Sequence, residues 1–541
     1  MSTTRVPVLI VGAGPVGLSA ALLLARCGLG CVLVEQRAGR DEHPKARGVR
    51  IRTMELLRQW GFEAELRAKA LPPEARRFIY CDSLAGREIG RSPAIEDEDD
   101  SYSPTSSCRV AQDSVEDALL RAVLAEPTID FRAGVQLTGL DQDDEGVDAW
   151  LASAREDKNS TEVLRARYLI AADGVTSTVR RILGVVMEGH PVLAYWQSIY
   201  WRGDISRWAA DRPCIQFMTG AKTGQEATIA SVDGTDRWVT MVTRPPSRVP
   251  PAPLGETEAL AIIRRAVGSE EVTAQVISTA TWRLSAQVAS SWQVGRVFLA
   301  GDAAHSFPPT GGFGMNTGIQ DVHNLAWKLG LVLAGQANPA LLQTYADERK
   351  PVALANADWS VANSVRFRDI AAAIAADDLP RFEELVLDQK EHVHALVQDL
   401  GFTYHSRAVI SGAAPHYPAS GRRFAPFALP GCRAPHAWVV RRGQTVSTLD
   451  LFETGFVLIA GQQGGAWHSA AAGLRAAHLP SVTVFQVGAD LQADPSFHAV
   501  YDLGHTGAVL VRPDGHVAWR AAATPDDPAS QLAHVLTELT Q

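Results

Sequence analysis

Cysteine is scarce in this chain, which has six among its 541 residues and no CxxC pair. That excludes a dithiol redox centre and leaves no cysteine-based metal site to predict. Basic residues are too few to favour nucleic acid, since 51 Lys and Arg face 60 Asp and Glu for a net charge of -9. The apolar run over residues 17–25 is too short to span a bilayer. With 46% hydrophobic and 21% charged residues, the composition predicts a cytoplasmic globular protein with small-molecule partners and no metal.

The most informative segment covers residues 299–329. It predicts a strand delivering Asp302 to its carboxyl end, a Gly/Pro loop, and a helix from about Asn316. Three glycines would let the backbone approach a ligand, beside the unpaired N–H groups of a helix start: Gly311, Gly312 and Gly314. A carboxylate would repel a phosphate, but it can accept hydrogen bonds from ribitol-like hydroxyls. The segment therefore predicts a flavin site.

The N-terminus carries an independent half of such a site. A short apolar strand over residues 8–11 leads into GAGPVG, which places glycines at the dinucleotide spacing of Gly12, Gly14 and Gly17. A second strand ends at Glu35, where the carboxylate can bind both hydroxyls of an adenosine ribose. Strand, glycine turn, helix and acidic residue follow in the expected order, so we predict a dinucleotide, without deciding which one from this motif.

A third strand over residues 167–172 ends in ADGVTSTVR, with Asp173 and Gly174 opening a helix. In this order and spacing, the three motifs resemble those of class A flavoprotein monooxygenases of the p-hydroxybenzoate hydroxylase type. The resemblance covers roughly the first 400 residues, and three ordered motifs are far more specific than one. It implies FAD as cofactor, with Asp173 near the FAD pyrophosphate and the path of the nicotinamide, and Asp302 on the ribityl chain.

The resemblance also implies a set of site residues. The flavin-ring loop, which is the predicted catalytic element, contains Pro308, Gly311 and Gly312. The remaining predicted FAD contacts are Gly12, Gly14, Pro15, Val16, Gly17, Glu35, Gln36, Lys45, Arg52, Arg109, Gln112, Asp173, Gly174, Asp302, Pro309, Gly314, Met315 and Asn316.

Four of these contacts have weaker support. Residues 44–61 would run beside the FAD phosphates, where Lys45 replaces an arginine that is common in the family. Arg52 matches the family better, with a surface helix position as an equal alternative. Gln112 matches a family glutamine on the flavin side of the fold, whereas Arg109 is more often part of the scaffold.

The fold class implied is α/β, in which a Rossmann-like FAD-binding domain over residues 1–185 and 284–400 is interleaved with a substrate-binding sheet over residues 78–106 and 186–283. The sheet is rich in strand-like runs and aromatic residues, which suits a flat, hydrophobic substrate. Its candidate wall residues are Tyr200, Phe217, Trp238 and Met241, although each alone is more often ordinary core.

The end of the chain forms a separate domain. Residues 401–429 are Gly/Pro-rich and predict a linker, and residues 430–541 alternate strands, turns and helices. This part resembles the thioredoxin-like tail of the larger class A hydroxylases, the phenol hydroxylases and aromatic polyketide hydroxylases. Since it lacks CxxC, a packing or dimer-stabilising role is expected, with Asp514 and Gly515 in a hairpin turn.

The resemblance implies reduction of FAD by NADPH or NADH, reaction with O2 to a flavin C4a-hydroperoxide, and transfer of oxygen to a phenolic or polycyclic, polyketide-like aromatic. No catalytic base can be assigned, and four candidates are each more often structural: His43, His305, Tyr195 and Tyr200. Two alternatives stay open: a Baeyer-Villiger or ring-opening oxygenase of the same fold, and a non-catalytic flavin- and ligand-binding protein. The protein is expected to be a monomer or a homodimer.

Overall fold

The computed structural model describes residues 4–39, 43–94, 101–153, 161–389, 395–410, 424–474 and 479–541. The strands are β1 (Thr4–Val11), β2 (Cys31–Glu35), β3 (Phe78–Cys81), β4 (Glu88–Arg91), β5 (Ile129–Ala133), β6 (Val135–Gln142), β7 (Val147–Ser153), β8 (Thr161–Ala171), β9 (Met187–Arg202), β10 (Gln216–Thr219), β11 (Ala227–Ser231), β12 (Arg237–Arg244), β13 (Gln275–Ala289), β14 (Gln293–Val294), β15 (Val297–Leu299), β16 (His305–Ser306), β17 (Trp438–Arg441), β18 (Gln444–Ser447), β19 (Phe456–Ala460), β20 (Val482–Gln486), β21 (Gln492–Ala493), β22 (Ala508–Val511) and β23 (Val517–Ala521).

The helices are α1 (Pro15–Arg26), α2 (Ile51–Gln59), α3 (Glu63–Ala68), α4 (Gln112–Ala125), α5 (Thr178–Ile182), α6 (Ser206–Ala209), α7 (Glu256–Val267), α8 (Phe313–Leu333), α9 (Thr344–Ala375), α10 (Leu379–Leu387), α11 (Leu396–Leu400), α12 (Ala466–Gly473), α13 (Pro495–Tyr501) and α14 (Pro528–Thr540). Within the described residues, none of these helices is both long enough and apolar enough to cross a lipid bilayer.

The first sheet has a parallel core in the order β15-β8-β1-β2-β5, extended by β14 and by the antiparallel pair β7 and β6. Its central strands are continuous apolar runs because helices cover them, and Leu9, Ile10 and Leu169 are fully buried. The carboxyl ends of β1, β8 and β15 lie side by side, where ligands bind in sheets of this kind. The predicted Rossmann-like domain is confirmed.

The second sheet has the order β16-β13-β9-β12-β11-β10-β3-β4. Its outer face packs on α7 around Trp201, Ile229 and Ile263. Its inner face is turned toward the FAD-binding domain, because the loop before α2 contacts it there. The predicted boundary at residue 283 falls inside β13, which continues to Ala289 as one bulged strand paired with β9.

The C-terminal domain contains a sheet in the order β20-β19-β22-β23, in which β19 and β20 are parallel and β22 and β23 antiparallel. Helices α12 and α14 pack against it, and α14 begins at Pro528 as predicted. The predicted linker precedes it, although residues 411–423 lie outside the described residues. Its described part is not a free tether, because Tyr404 is buried and contacts Arg349 and His516.

Buried charges join this domain to the FAD-binding domain. Arg512, in the turn between β22 and β23, donates to both Glu348 oxygens at 2.6 and 2.9 Å and also pairs with Asp514. Lys328 of α8 donates to Glu348 at 2.8 Å. The Asp514–Gly515 segment is the predicted turn, but it is also part of the docking surface. Breaking one partner would leave an uncompensated buried charge, so the domain is firmly docked.

Two buried histidines belong to the C-terminal domain. The Nδ1 atom of His436 lies 2.7 Å from the Ser447 hydroxyl, and the ring of His516 packs at a tilt against Tyr404 with centroids 4.2 Å apart. Burial lowers the pKa of His436 to about 4 and that of His516 to about 4. Both rings are therefore neutral in the folded protein at neutral pH.

We expect stability to fall when the pH is lowered from about 7.5 to about 5.5, because the unfolded histidines, with a pKa near 6.5, take up protons that the folded ones do not. The double variant His436→Gln/His516→Gln should show a smaller pH dependence of its melting temperature. An unchanged pH dependence in that variant would contradict the assignment.

Candidate active site

The three sequence motifs form one site. The Ala172 N–H donates to the Val11 carbonyl at 2.8 Å, which joins the second motif to the first. A Cβ added at Gly301 or Gly318 would lie 2.9 or 2.5 Å from Val16 Cγ2, so Val16 packs against both sides of the third motif. Arg180 donates to the Ala303 carbonyl at 2.9 Å, which joins the second motif to the third.

The glycines of the first motif have different roles. Gly12 adopts φ +99°, and an added Cβ would lie 2.4 Å from the Ala172 carbonyl oxygen. A Cβ added at Gly17 would lie 1.8 Å from the Gly12 carbonyl oxygen, so only glycine allows the helix to pack this closely against the turn. Nothing lies within 4 Å of a Cβ built at Gly14, which precedes Pro15 at the start of α1 without a side-chain cap. This open helix start fits a pyrophosphate.

Two carboxylates flank that helix start. Glu35 accepts the Ala13 N–H at 2.9 Å, which places it beside the glycine turn with Gln36 exposed next to it. Asp173 accepts the Val179 N–H at 3.1 Å through Oδ2, while no donor in the described part of the chain reaches its buried Oδ1. Burial raises the pKa of Asp173. A buried acceptor without a partner is typical of a group that a ligand completes, and Gly174 beside it has φ +80°.

Asp302 lies in the third motif, directly after β15. Solvent reaches its side chain, yet the surrounding protein raises the pKa of Asp302 by desolvation, against the lowering effect of His305 and Lys45. These two observations describe a carboxylate inside a cleft. Gly314 leaves it accessible, since a Cβ there would lie 3.9 Å from Oδ1. The arrangement fits the predicted contact with ribityl hydroxyls.

The flavin-ring loop ends in two glycines with positive φ, Gly311 at 124° and Gly312 at 71°. Helix α8 follows at Phe313, earlier than the predicted start near Asn316, because the left-handed turn ends at Gly312. Its first N–H groups have no side-chain cap. Pro308 is buried and Pro309 exposed on the way into the loop. The helix start therefore presents the positive partial charge of its N–H groups at the end of this loop.

Two residues of the first turn of α8 are less available than predicted. Met315 is buried, with 8% of its surface exposed. The Asn316 side chain donates to the carbonyls of Gly48 at 3.1 Å and Gly312 at 2.6 Å, and accepts the Arg50 N–H at 2.9 Å. Because its amide is fully engaged, Asn316 positions the loop, and only its backbone is left for a cofactor.

Arg52 is not a phosphate contact, and the prediction for it is wrong. Its buried side chain donates to Glu55 at 2.8 Å and to the Asp514 carbonyl at 2.9 Å. Arg433 of the C-terminal domain also pairs with Glu55. The face of α2 that carries Arg52 is therefore a docking surface for that domain.

The loop before α2 carries an arginine that the sequence analysis missed. Arg47 donates to Gln216 of the inner sheet face at 3.2 Å. Burial and the neighbouring Arg109 lower the pKa of Arg47 to about 10. Gln112 accepts the Ala46 N–H at 3.2 Å and so anchors the same loop. The only sequence signal for Arg47 was its place in the basic PKAR run.

The inner face of the second sheet carries one row of small or flexible side chains. Met218 pairs with Thr228, Thr228 with Met241, Met241 with Ser198, and Ser198 with Ala280. All but Ser198 are half-buried, and the buried Oγ1 of Thr228 has no partner among the described residues. At about 4.8 Å per strand, the row spans roughly 19 Å. We call it the inner row.

Two of the four predicted wall residues are on the wrong face. Phe217 and Trp238 belong to the outer core against α7, where Trp238 stacks on Trp201 with centroids 6.3 Å apart. Because successive side chains of a strand point to opposite faces, Phe217 and Trp238 lie on the outer face, whereas Met218 and Met241 lie on the inner face. Both faces of this sheet are covered, so apolar periodicity did not distinguish them.

The four candidate bases are all engaged. The rings of His43 and His305 both form hydrogen bonds, His43 to the buried Ser198 and the half-buried Ser278, and His305 to the buried Asp321. Tyr200 is buried on the inner face, and its hydroxyl accepts a hydrogen bond from Arg237 Nε at 2.7 Å. Tyr195 donates to the Ser247 carbonyl at 3.3 Å. Across the described residues, no group of three His, Cys, Asp or Glu side chains is arranged to bind a metal.

Comparison with known proteins agrees with this geometry. The FAD binding domain family matches residues 5–360, and the aromatic-ring hydroxylase C-terminal family matches residues 427–540. The chain belongs to the FAD-dependent aromatic-ring hydroxylases. It is 35% identical to tetracenomycin A2 monooxygenase-dioxygenase of Streptomyces glaucescens, over 100% of this chain and 97% of that one.

Other hydroxylases of this family are similar over the whole length. The chain is 32% identical to 2,4-dichlorophenol 6-monooxygenase of Cupriavidus pinatubonensis, over 99% of this chain and 96% of the relative. The crystal structure of the flavin-dependent monooxygenase PieE in complex with FAD and substrate superposes with a TM-score of 0.92, at 30% identity and full coverage of both chains. This hydroxylase is therefore a flavin-dependent monooxygenase with FAD as its cofactor.

Gly14 and Gly17 provide a matched pair of variants. Gly14→Ala should fold normally, because its Cβ enters open space in the apoprotein. It should weaken FAD binding roughly tenfold or more, because the added Cβ occupies the space where we place the pyrophosphate. Gly17→Ala should instead lower the melting temperature of the apoprotein, because its Cβ meets the Gly12 oxygen. Fluorescence titration with FAD and thermal melting measure both effects. Wild-type FAD affinity in Gly14→Ala would contradict the placement of the pyrophosphate.

Proposed function

We propose that this hydroxylase oxygenates a polycyclic phenolic substrate of the aromatic polyketide type, with O2 as co-substrate and NADPH or NADH as transient reductant. FAD, when bound, accepts hydride from the nicotinamide and activates dioxygen. The chain then has to hold the flavin edge, orient the aromatic ring and keep water out.

The observation that carries the proposal is the inner row, Met218–Thr228–Met241–Ser198–Ala280. Its side chains, on five adjacent strands, are small or flexible, and such a surface suits the flat face of a fused-ring substrate better than a wall of large side chains would. Trp196 and Trp282, paired on adjacent strands and half-buried, border the row on one side. Aromatic faces of this kind favour stacking on a flat substrate. The unpaired Thr228 hydroxyl is suited to a hydrogen bond with a substrate oxygen.

The remaining FAD contacts belong to the same proposal. Glu35 would bind the adenosine ribose, Gly14 and Asp173 the region of the pyrophosphate, and Asp302 the ribityl chain. The loop Pro308–Gly312 and the start of α8 would lie along the ring, where helix N–H groups stabilise negative charge on the reduced flavin. A cytoplasmic location and a monomeric or homodimeric state stay predictions from the sequence.

The experiment is NAD(P)H oxidation by the purified holoenzyme with monocyclic phenols, naphthols and anthraquinone-type polyketides, with product masses recorded. We expect polycyclic phenols to stimulate oxidation and to gain one oxygen atom as a hydroxyl. Preference for monocyclic phenols would contradict the proposed substrate class, and a lactone product would favour the Baeyer-Villiger alternative. Ligand binding without any stimulated oxidation would favour the non-catalytic alternative.

Met241 and Trp238 test the assignment of sheet faces. Met241→Trp should lower kcat/KM for a polycyclic substrate by roughly tenfold or more, because the larger ring narrows the inner row, and should affect a monocyclic phenol less. Trp238→Phe should lower the melting temperature, because it removes a buried ring and its hydrogen bond to the Gly203 carbonyl, without changing the ratio between the two substrates. A changed ratio in Trp238→Phe alone would contradict the assignment.

A further inference from the structure

Arg50 connects the flavin-ring loop to a distant part of the chain. It is the residue before α2, and its NH1 group donates to the Gly311 carbonyl at 2.7 Å. Its backbone N–H donates to Asn316 at 2.9 Å, and its guanidinium lies 4.5 Å from the centre of the Phe313 ring. One residue thus contacts the loop before α8 and the first turn of the helix.

Asp399 of α11 holds the guanidinium in place. It accepts from Arg50 Nε at 2.7 Å and NH2 at 2.8 Å, the fork geometry that gives the strongest orientation. The side chains are 11% and 5% exposed. A buried pair of this kind adds little net stability compared with apolar packing, so its value is more in geometry than in binding energy.

The peptide group between Gly311 and Gly312 is held at both ends. Arg50 binds its carbonyl oxygen, and the Gly312 N–H donates to the Pro309 carbonyl at 3.1 Å. Gly311 has φ +124°, and because glycine adopts positive and negative φ about equally readily, local preference alone does not fix this conformation. External contacts must supply the restraint.

We propose that Arg50 and Asp399 are positioning residues that fix the Gly311–Gly312 peptide and thereby aim the start of α8 at the flavin ring. This inference rests on the proposed placement of the ring at that loop. Arg50 touches the loop, and Asp399 acts through Arg50. Without the pair, the loop turns, and the helix start moves away from the position where negative charge develops on reduction.

The test measures the reduction potential and the visible spectrum of the holoenzyme without substrate. Asp399→Asn should bind FAD, show a more negative potential and an altered flavin spectrum, and be reduced by NAD(P)H roughly tenfold more slowly. Asp399→Glu, which keeps the carboxylate, should recover part of the change. Since no substrate is present, the result does not depend on the substrate class proposed above.

Glu55→Gln is the matched control, because Glu55 is equally buried between two arginines but faces the C-terminal domain. It should lose stability while keeping the wild-type potential and spectrum. A folded, FAD-loaded Asp399→Asn with wild-type potential and spectrum would overturn the proposal. If Asp399→Asn fails to fold, Arg50→Lys replaces it, because an ammonium lacks the planar fork that binds both Asp399 oxygens while a third nitrogen binds Gly311. Wild-type values there would overturn the proposal equally.

Discussion

The carboxylate of Asp321 holds the flavin side of the molecule together. Fully buried in α8, it accepts from Gly301 N–H at 3.2 Å, His305 Nε2 at 2.8 Å and Arg349 Nε at 2.9 Å. Burial alone would raise the pKa of Asp321, but His305 and Arg349 hold it below its usual value. One carboxylate on α8 thereby holds together the loop that carries Asp302 and helix α9. Such a cluster is costly to disturb.

The C-terminal domain forms further buried ion pairs with the FAD-binding domain. It docks on α2 and α9 through the buried carboxylates of Glu55 and Glu348, which pair with Arg433 and Arg512 across the boundary, and Lys328 of α8 pairs with Glu348 from the same side. These three helices are also the ones that carry or support the flavin-ring loop. A domain without CxxC therefore packs on the scaffold that carries the loop, and packing is one of the two roles expected for it from the sequence.

Local chemistry explains which features could be predicted. The strand–glycine–helix segments were predictable because close packing at Gly17 and turn geometry at Gly312 depend on residues nearby in the sequence. Arg52 was misplaced because its partners lie in a domain more than 450 positions later, at Asp514. Phe217 and Trp238 were misplaced because both faces of their sheet are buried, and only strand pairing tells which side a residue faces. The pair of Arg50 and Asp399 was not predicted, because these two residues also lie far apart in the sequence.

A turnover in isotopically labelled dioxygen with the best polycyclic substrate, followed by mass analysis of the product, tests the flavin-dependent monooxygenase reaction most directly. We predict one labelled oxygen atom in the product and none from labelled water, with one NAD(P)H consumed per product. Oxygen derived from water, or product formed without NAD(P)H, would contradict a flavin-dependent monooxygenase.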